Sequence, residues 1–189
     1  MDTNSNDSLK NHFLIAMPAM EDPNFSHSIT YICEHNEDGA MGIMINRPLD
    51  LSLGEVFEHL DIDNYDEQFD HQNVLEGGPV QTEMGFVLHR NPQKWQSTVV
   101  MEEGICLTTS RDILDDIANN KGPKDSLVAL GYAGWGGGQL EEEMQSNAWI
   151  TVKADPEILF STPQEKRWEA ATKLLGIDLS LMSSDVGHS

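Results

Sequence analysis

Apolar and polar residues alternate along the first quarter of the chain in a pattern typical of β-strands. The segment "HFLIAMPAM" (12–20) predicts one strand, and "SITYICEHNEDGAMGIMIN" (28–46) contains two apolar runs on either side of "HNEDG". Asn, Asp and Gly are favoured in turns, so the second segment predicts a β-hairpin. In its first arm, Ile29, Tyr31 and Cys33 share one face because side chains alternate with period two along a strand.

The apolar period changes to that of a helix in later segments. In "LSLGEVFEHL" (51–60), apolar residues recur at i, i+3, i+4 and i+7, which predicts an amphipathic helix with Ser52 and Glu55 as its capping box. The segment "STPQEKRWEAATKLLG" (161–176) follows the same pattern, and Thr162 is predicted to cap its helix. A further helix is predicted after "LTTS", with apolar residues on one face.

Several short runs rich in β-branched residues lie between these helices. We count about nine strand candidates against about four helices, and strands follow one another between residues 70 and 108. This order predicts an α+β fold with a mixed or antiparallel sheet rather than a doubly wound parallel one. Residues 1–11 are polar without periodicity and are predicted to be a disordered N-terminal tail, followed by a single domain over 12–189.

The charge of the chain argues against several classes of partner. Lys and Arg number 11 against 32 Asp and Glu, a formal net charge of −21. Such a surface repels phosphate backbones and anionic lipids, so binding to nucleic acid or to a membrane surface is not expected. We find no apolar run of the roughly 20 residues that a membrane span needs and no signal peptide. With only two cysteines, the sequence predicts a cytoplasmic protein.

The glycine-rich stretch "GYAGWGGGQLEEE" (131–143) lies between an apolar strand and a helix predicted near Gln139, a context that suits an anion site. It lacks the G-K-[ST] ending of a P-loop and the glycine spacing of a dinucleotide fold, and its three glutamates oppose a phosphate. Two interpretations stay open. The stretch is a turn where chain segments pack closely around Trp135, or it is a loop that contacts a ligand through Gly134 and Gly138.

Two other polar motifs follow predicted strands. "LTTSRD" (107–112) offers Thr109 and Ser110 as caps of the next helix, or as a nucleophile that would need a general base. "INRP" places Asn46 and Arg47 at a strand end, where they could recognise a carboxylate or phosphate, or where Arg47 could form a structural ion pair.

Metal-binding patterns are not found. The seven histidines form no H-x-x-x-H pair, and the acidic segment "DIDNYDEQFD" (61–70) lacks the glycine and ligand positions of a calcium loop. No metal and no cofactor are predicted.

Taken together, the motifs resemble the AlgH/YqgE family of bacterial proteins. They are "HFLIAMPAMEDPNFSHSITYICEHNEDGAMGIMINRPL", "EGGPVQTEMGFVLH", "LTTSRDIL", "GYAGWGGGQLEEEMQSNAWI" and "RWEAATKLLGIDLSLMSSDVGH", over about residues 8–188. The resemblance implies a bifurcated sheet rolled into a pseudo-barrel with flanking helices. It implies no established activity, although one branch has a name linked to the regulation of alginate production. The chain departs from the family at Glu83, where a basic residue is common.

These observations lead to three hypotheses about function. The first is a small-ligand-binding or regulatory module, with an unknown small molecule or protein as partner, whose candidate residues are Asn46, Arg47, Thr109, Ser110, Gly134, Trp135, Gly138 and Gln139. The second is a hydrolase with a Thr or Ser nucleophile, in which Arg47 stabilises developing negative charge. The third is a transcriptional regulator, which the net charge disfavours.

Overall fold

The structure, a computed structural model, describes residues 8–90 and 93–176. These residues form ten strands: β1 (His12–Ala16), β2 (Ile29–Asn36), β3 (Gly39–Met44), β4 (Pro48–Ser52), β5 (Asn73–Glu76), β6 (Val80–Arg90), β7 (Thr98–Val100), β8 (Ile105–Thr108), β9 (Ser126–Gly136) and β10 (Trp149–Lys153). The helices are α1 (Leu53–His59), α2 (Asp112–Ala118), α3 (Gln139–Gln145), α4 (Pro156–Phe160) and α5 (Arg167–Leu174), with 3₁₀ turns at Glu67–His71, Glu102–Gly104 and Gln164–Lys166.

Most strands pair in antiparallel fashion in the order β10-β1-β2-β3-β9-β6-β8-β7. β5 departs from this pattern, because it pairs parallel with β9 and antiparallel with β4. The predicted α+β class with a mixed, mainly antiparallel sheet is confirmed. None of the helices in the described ranges has the length and hydropathy needed to cross a bilayer.

The sheet divides along one edge of β9. The first half of β9 pairs with β5 at Ala129 and Leu130, and the second half pairs with β3 from Ala133 to Gly136. β6 pairs with β9 from Ser126 to Leu130 and again at Tyr132. This division is the bifurcation that the family resemblance implies.

Glycines allow the close chain approach at this fork. Gly77 joins the two branches, since its N–H donates to Leu130 O and its carbonyl accepts from Met44 N, both at 2.8 Å. A Cβ on Gly78 would lie 2.0 Å from the carbonyl carbon of Tyr132. The "EGGP" motif is therefore required where two backbones cross with no room for side chains.

Three apolar clusters hold the helices on the curled sheet. The largest contains residues such as Phe13, Tyr31 and Leu88 and is closed by α4 and α5. A second packs α1 and α2 against β4 and β5, and a third joins α3 to Trp135 and Trp149. The helices thus flank a half-barrel, as expected.

The predicted β-hairpin and first helix are confirmed. β2 and β3 pair around the "HNEDG" turn, and Ile29, Tyr31 and Cys33 all enter the largest cluster. The capping box of α1 is formed in both directions between Ser52 and Glu55.

Two local predictions are wrong. Thr162 does not cap a helix but donates to Glu157 O, and the segment after it is a 3₁₀ turn, so α5 begins only at Arg167. The reason is that the Thr162 hydroxyl bonds back to α4 and the backbone of Pro163 is extended, with ψ of 143°. The strand predicted from "SLVALGYAG" (126–134) is too short, because β9 continues to Gly136, which pairs with Gly39 of β3.

The predicted N-terminal tail is described only from Ser8. Asn11 is buried, accepts a hydrogen bond from the Tyr31 hydroxyl at 2.7 Å, and donates its backbone N–H to Ile32 O. The described part of this segment is therefore bound to the sheet. The end of the predicted domain, 177–189, lies outside the described residues.

Candidate functional site

Asn46 and Arg47 bind the backbone of a neighbouring loop. The Asn46 amide accepts from Ile29 N at 3.0 Å and donates to His27 O at 2.9 Å. The Arg47 guanidinium donates to three carbonyl oxygens at 2.6 to 3.0 Å, those of Pro23, Asn24 and Ser26. The acceptors are carbonyls, and Arg47 takes part in no ion pair among residues 8–90 and 93–176. Both side chains therefore fasten the loop before β2.

Thr109 and Ser110 hold the turn before β7 and do not cap α2. Thr109 N donates to Ser97 O, and Ser110 Oγ accepts from Ser97 N at 3.0 Å while donating to Asp112 Oδ1 at 2.5 Å. The N-cap of α2 is Arg111, which makes no side-chain capping bond. The capping role predicted for these hydroxyls is therefore wrong, because the adjacent turn uses them instead.

The surroundings of Ser110 provide only a weak base. Partial burial opposes ionisation of Asp112, but hydrogen bonds from Ser110 and from backbone N–H groups outweigh it and lower the pKa of this carboxyl. A histidine does hydrogen-bond to this motif, but its partner is Thr108 rather than Thr109 or Ser110. His89 Nε2 lies 2.7 Å from Thr108 Oγ1, and the Thr108 side chain is fully buried. A carboxylate with a lowered pKa accepts protons poorly, which does not favour nucleophilic catalysis here.

The glycine-rich stretch ends in a hydrogen-bonded turn centred on Glu143. This carboxylate accepts from Trp135 Nε1 at 3.0 Å, from Trp149 Nε1 at 2.8 Å and from Gln139 Nε2 at 3.0 Å. Gln139 also accepts from Gly136 N, and Gly138 occupies the N-cap of α3 with φ of 80°. One of the three glutamates is thus an internal acceptor, and Gln139 and Gly138 shape the turn.

The glycine motif lies far from the other two motifs along the strands. Thr108 pairs through Val87 with Val128, and Gly136 is about 26 Å farther along β9 at roughly 3.3 Å per residue. Asn46 lies beyond the Met44 end of β3, whereas Gly136 pairs with its opposite end, about 17 Å away. The three motifs therefore do not form one pocket around the glycine stretch.

Gly134 and Trp135 instead line an open groove of about 460 Å³ on the outer surface of β2, β3 and β9. We call it the Tyr132 groove; its lining residues are Glu34, Asn36, Asp38, Gly39, Ala40, Met41, Val80, Tyr132, Gly134 and Trp135. Because side chains alternate along a strand, Tyr132, Gly134 and Gly136 share one face of β9. On this face Tyr132 packs against the largest cluster and the two glycines are exposed, while Ala133 and Trp135 face the third cluster.

The shape of the groove follows from its glycines. A Cβ on Gly134 would lie 3.3 Å from the Tyr132 ring. The missing side chain at Gly134 therefore leaves room for this ring. The ring also packs against Phe86 at 5.8 Å in an edge arrangement. Gly39 and Gly136 pair directly beside it, and neither has a side chain to fill the groove.

The groove is acidic at its rim and partly apolar in its floor. Glu34 and Asp38 are exposed and take part in none of the ion pairs found in the described residues. Tyr132, Met41 and Val80 supply the apolar floor, and no Lys or Arg is among the lining residues. The groove therefore attracts positive charge and repels anions.

The described residues give little support for metal or thiolate chemistry. No three His, Cys, Asp or Glu side chains within 8–90 and 93–176 are placed as a metal ligand set. Cys33 and Cys106 are both buried, and burial raises the pKa of the Cys33 thiol to about 12. This thiol stays protonated at neutral pH and is a poor nucleophile.

Sequence reasoning missed most of the groove. Glu34, Asp38 and Met41 belong to the hairpin, far in sequence from Tyr132. A signal was present in "GYAGWG", since the period-two rule applied to a strand puts Tyr132 and two glycines on one face. Interpreting the stretch as a loop hid this pattern.

The fold and groove define a single-domain α+β protein with a forked sheet curled into a half-barrel, and the comparisons assign its family. A family model described as DUF179, AlgH-like, matches residues 13–180, and the chain belongs to this family. It is 59% identical over 179 residues to a UPF0301 protein of Thioalkalivibrio sulfidiphilus, covering 95% of this chain and 96% of the relative.

Two solved structures are similar in fold. The solution structure of the AlgH protein from Pseudomonas aeruginosa has 50% sequence identity and a TM-score of 0.81, with 97% of each chain covered. A crystal structure from Corynebacterium diphtheriae, protein DIP2367, has 19% identity and a TM-score of 0.74 over 92% of this chain and 91% of that one, and it supports the fold alone.

Proposed function

We propose that this protein is a binding module of the cytoplasm that holds a cationic group in the Tyr132 groove. The ligand is a small organic cation or the basic side chain of a partner protein. The observation that carries the proposal is the combination of two exposed carboxylates, Glu34 and Asp38, with an aromatic and apolar floor that contains no cation.

Each part of the groove suits one part of such a ligand. The half-buried Tyr132 ring offers an aromatic surface, and a guanidinium or ammonium over such a ring gains about 0.5 to 1 kcal/mol at an exposed site. Met41 is a flexible apolar contact for the methylene stem. The carboxylates add charge complementarity, which contributes specificity and faster association more than raw affinity.

The charge of the whole chain supports the same class of ligand. A formal net charge of −21 creates a negative potential that concentrates cations near the surface and repels anions. This potential is screened by salt, so we expect binding to weaken as ionic strength rises.

The two alternatives receive less support. A hydrolase at Thr109 or Ser110 would depend on Asp112, whose pKa is lowered, as its base. A transcriptional regulator would need a basic surface, whereas α2 begins with Asp112 and continues through Asp115 and Asp116.

A titration monitored by ¹H–¹⁵N NMR tests the proposal. Arginine amide is the probe, and citrulline amide is its control because it replaces the guanidinium with a neutral urea. We expect saturable shifts of the Tyr132, Gly134 and Met41 amides with arginine amide and much weaker ones with citrulline amide. Equal shifts with both compounds, or shifts scattered over the acidic surface, would contradict the proposal.

A further inference from the structure

A second cavity, separate from the Tyr132 groove, lies where the 3₁₀ turn Glu67–His71 and β5 meet the start of β9 and of α5. Its volume is about 240 Å³. We call it the Arg167 cavity; its lining residues are His71, Gln72, Asn73, Leu75, Leu127, Val128, Gln164 and Arg167. None of these residues is an Asp or Glu, in a chain that has 32 of them.

Arg167 is an unusual residue for this protein. Its side chain is 6% exposed, and it is the one Lys or Arg that is buried among the described residues. Its Nε donates to Ile158 O at 3.2 Å and Thr162 O at 3.1 Å, and its Nη1 donates to Ile45 O. None of the ion pairs within 8–90 and 93–176 includes it.

These bonds leave part of the guanidinium unused. Arg has five N–H donors, and the bonds found in the described part of the chain use Nε and Nη1 but not Nη2. Burial lowers the pKa of Arg167 to about 10, so the group is still charged at neutral pH. The nearby Glu165 carboxylate favours the charged form but makes no ion pair with Arg167 within 8–90 and 93–176, so the hydrogen-bond partners of this buried cation are neutral carbonyls and its charge is only partly compensated.

Gln164 supplies a second polar group to the cavity. Its Oε1 is buried and has no hydrogen-bond partner among the described residues. Because a buried acceptor without a donor is costly, a ligand that brings an O–H or N–H would also satisfy this atom.

We propose that the Arg167 cavity binds a small anion, a carboxylate or phosphate group with a neighbouring hydrogen-bond donor. The anionic group pairs with the unused edge of the Arg167 guanidinium, and the donor faces Gln164. Guanidinium groups recognise both kinds of oxyanion through paired N–H bonds.

The size and walls of the cavity restrict the ligand. The volume of about 240 Å³ is below the roughly 300 to 1,000 Å³ of sites that take drug-sized molecules. The ligand is therefore a small metabolite-sized acid. The acid-free walls provide a local exception to the negative surface that otherwise repels anions.

The test uses DL-lactate, a 2-hydroxy carboxylate, and inorganic phosphate as probes in NMR titrations at constant ionic strength, with chloride as the balancing anion. We expect saturable shifts at the Leu75, Leu127 and Val128 amides with at least one probe. Saturable shifts with lactate alone would identify the ligand as a carboxylate, and saturable shifts with phosphate alone would identify it as a phosphate. If neither probe gives saturable shifts at these amides up to about 10 mM, the proposal is overturned.

A second test uses a variant that leaves Arg167 and its hydrogen bonds to backbone carbonyls in place. A loss of binding in this variant can then be distinguished from a loss of folding. Asn73→Asp adds a negative charge to the cavity wall without changing side-chain size, and we expect it to raise the Kd at least about tenfold. Asn64→Asp, on the exposed loop before the 3₁₀ turn, is the matched control and should leave Kd unchanged. An Asn73→Asp protein that is folded by its NMR spectrum and binds as tightly as the wild type would also overturn the proposal.

The outcome is independent of the Tyr132 groove. The two sites have opposite charge preferences, different lining residues and different probes. Failure of one titration therefore says nothing about the other.

Discussion

Two arginines of this protein, Arg47 and Arg167, bind the backbone rather than acids. Arg47 and Arg167 each donate to three carbonyl oxygens, in a chain where carboxylates outnumber cations about threefold. Carbonyl oxygens at loop and helix ends lack partners of their own, and a planar guanidinium can bind several of them at once. A motif with Asn and Arg at a strand end is therefore not by itself evidence for an anion site.

We expect Arg47→Met to lower the free energy of unfolding by about 1 to 3 kcal/mol, because three charge-assisted bonds are lost from a partly exposed site. Urea denaturation measures the loss, and hydrogen exchange should be faster at the amides of residues 24–28. Lys173→Met is the control, since Lys173 makes only an exposed ion pair at 3.8 Å. An Arg47 variant as stable as this control would show that the loop does not depend on Arg47.

The buried, protonated side chains of Tyr31 and Cys33 predict that the free energy of unfolding falls at alkaline pH. Burial raises the pKa of Cys33 from 9.0 to about 12, and burial, followed by the charges of neighbouring groups, raises the pKa of Tyr31 above its usual value. The folded protein holds these protons more tightly than the unfolded chain does. The stabilisation is therefore complete below pH 9.0 and is lost as pH rises from there towards about 12.

We accordingly expect a lower free energy of unfolding at about pH 10.5 than at about pH 8. Urea denaturation at the two values measures the difference. Tyr31→Phe should reduce the slope, since it removes one of the two groups. A free energy of unfolding that does not fall over this interval would contradict the assignment of buried neutral groups.

At the scale of elements, the glycines of β9 show why its pattern was misinterpreted. Five glycines in eight positions indicate a loop by composition, yet Gly134 and Gly136 pair with β3 as strand residues. Their spacing by two is the strand signal. Gly131 differs from them, because its φ of 78° and its contact with Gly78 mark the point where β9 changes partner.

Gly131 and Gly104 form a matched pair for testing the fork. Both have positive φ, of 78° and 76°, but a Cβ would lie 2.4 Å from Gly78 O at Gly131 and would meet nothing within 4 Å at Gly104. We expect Gly104→Ala to cost about 1 kcal/mol from backbone strain alone. Gly131→Ala should cost several kcal/mol more, or prevent folding, by thermal or urea denaturation. Equal costs would mean that the fork tolerates a side chain.

Helix ends provide a second comparison between prediction and structure. The capping box at Ser52 was predictable because its partners lie three residues apart. The same local pattern at Thr162 failed because this hydroxyl bonds back to the preceding helix, at Glu157 O, and the extended Pro163 separates it from α5.

This difference predicts unequal effects of removing two hydroxyls. Ser52→Ala should lower the free energy of unfolding by about 1 kcal/mol, the usual value of an N-cap. Thr162→Ala should have a much smaller effect, since its hydroxyl makes only a 3.3 Å bond to Glu157 O on an exposed surface. Denaturation midpoints of the two variants check the order, and a larger loss at Thr162 would contradict it.

At the scale of the whole molecule, the class of fold was predictable and the fork required the family resemblance. Local alternation and turn residues are enough to predict the hairpin and the series of strands after residue 70. The parallel pairing of β5 with β9 joins segments more than fifty residues apart, for example Leu75 with Ala129, and no local pattern encodes such a pairing.

The candidate site was predictable only in part for the same reason. Gly134 and Trp135 were selected from one motif and do line the groove. Its charge and floor come from Glu34, Asp38 and Met41, which reach Tyr132 only through the pairing of β3 with β9. The other six candidates were chosen for their chemical type, but their contacts are with the backbone or with neighbouring side chains.

Calorimetric titration of arginine amide into the double variant Glu34→Gln/Asp38→Asn is the most direct test of the Tyr132 groove as a cation site. Both changes keep side-chain size while removing charge. The double variant Asp63→Asn/Glu67→Gln, which removes two exposed acids outside the groove, controls for net charge. We predict that the Glu34/Asp38 variant raises the Kd at least about tenfold, or about 1.4 kcal/mol, whereas the Asp63/Glu67 variant changes it little. Equal affinities for the wild type and the double variant would contradict a cation site in the groove.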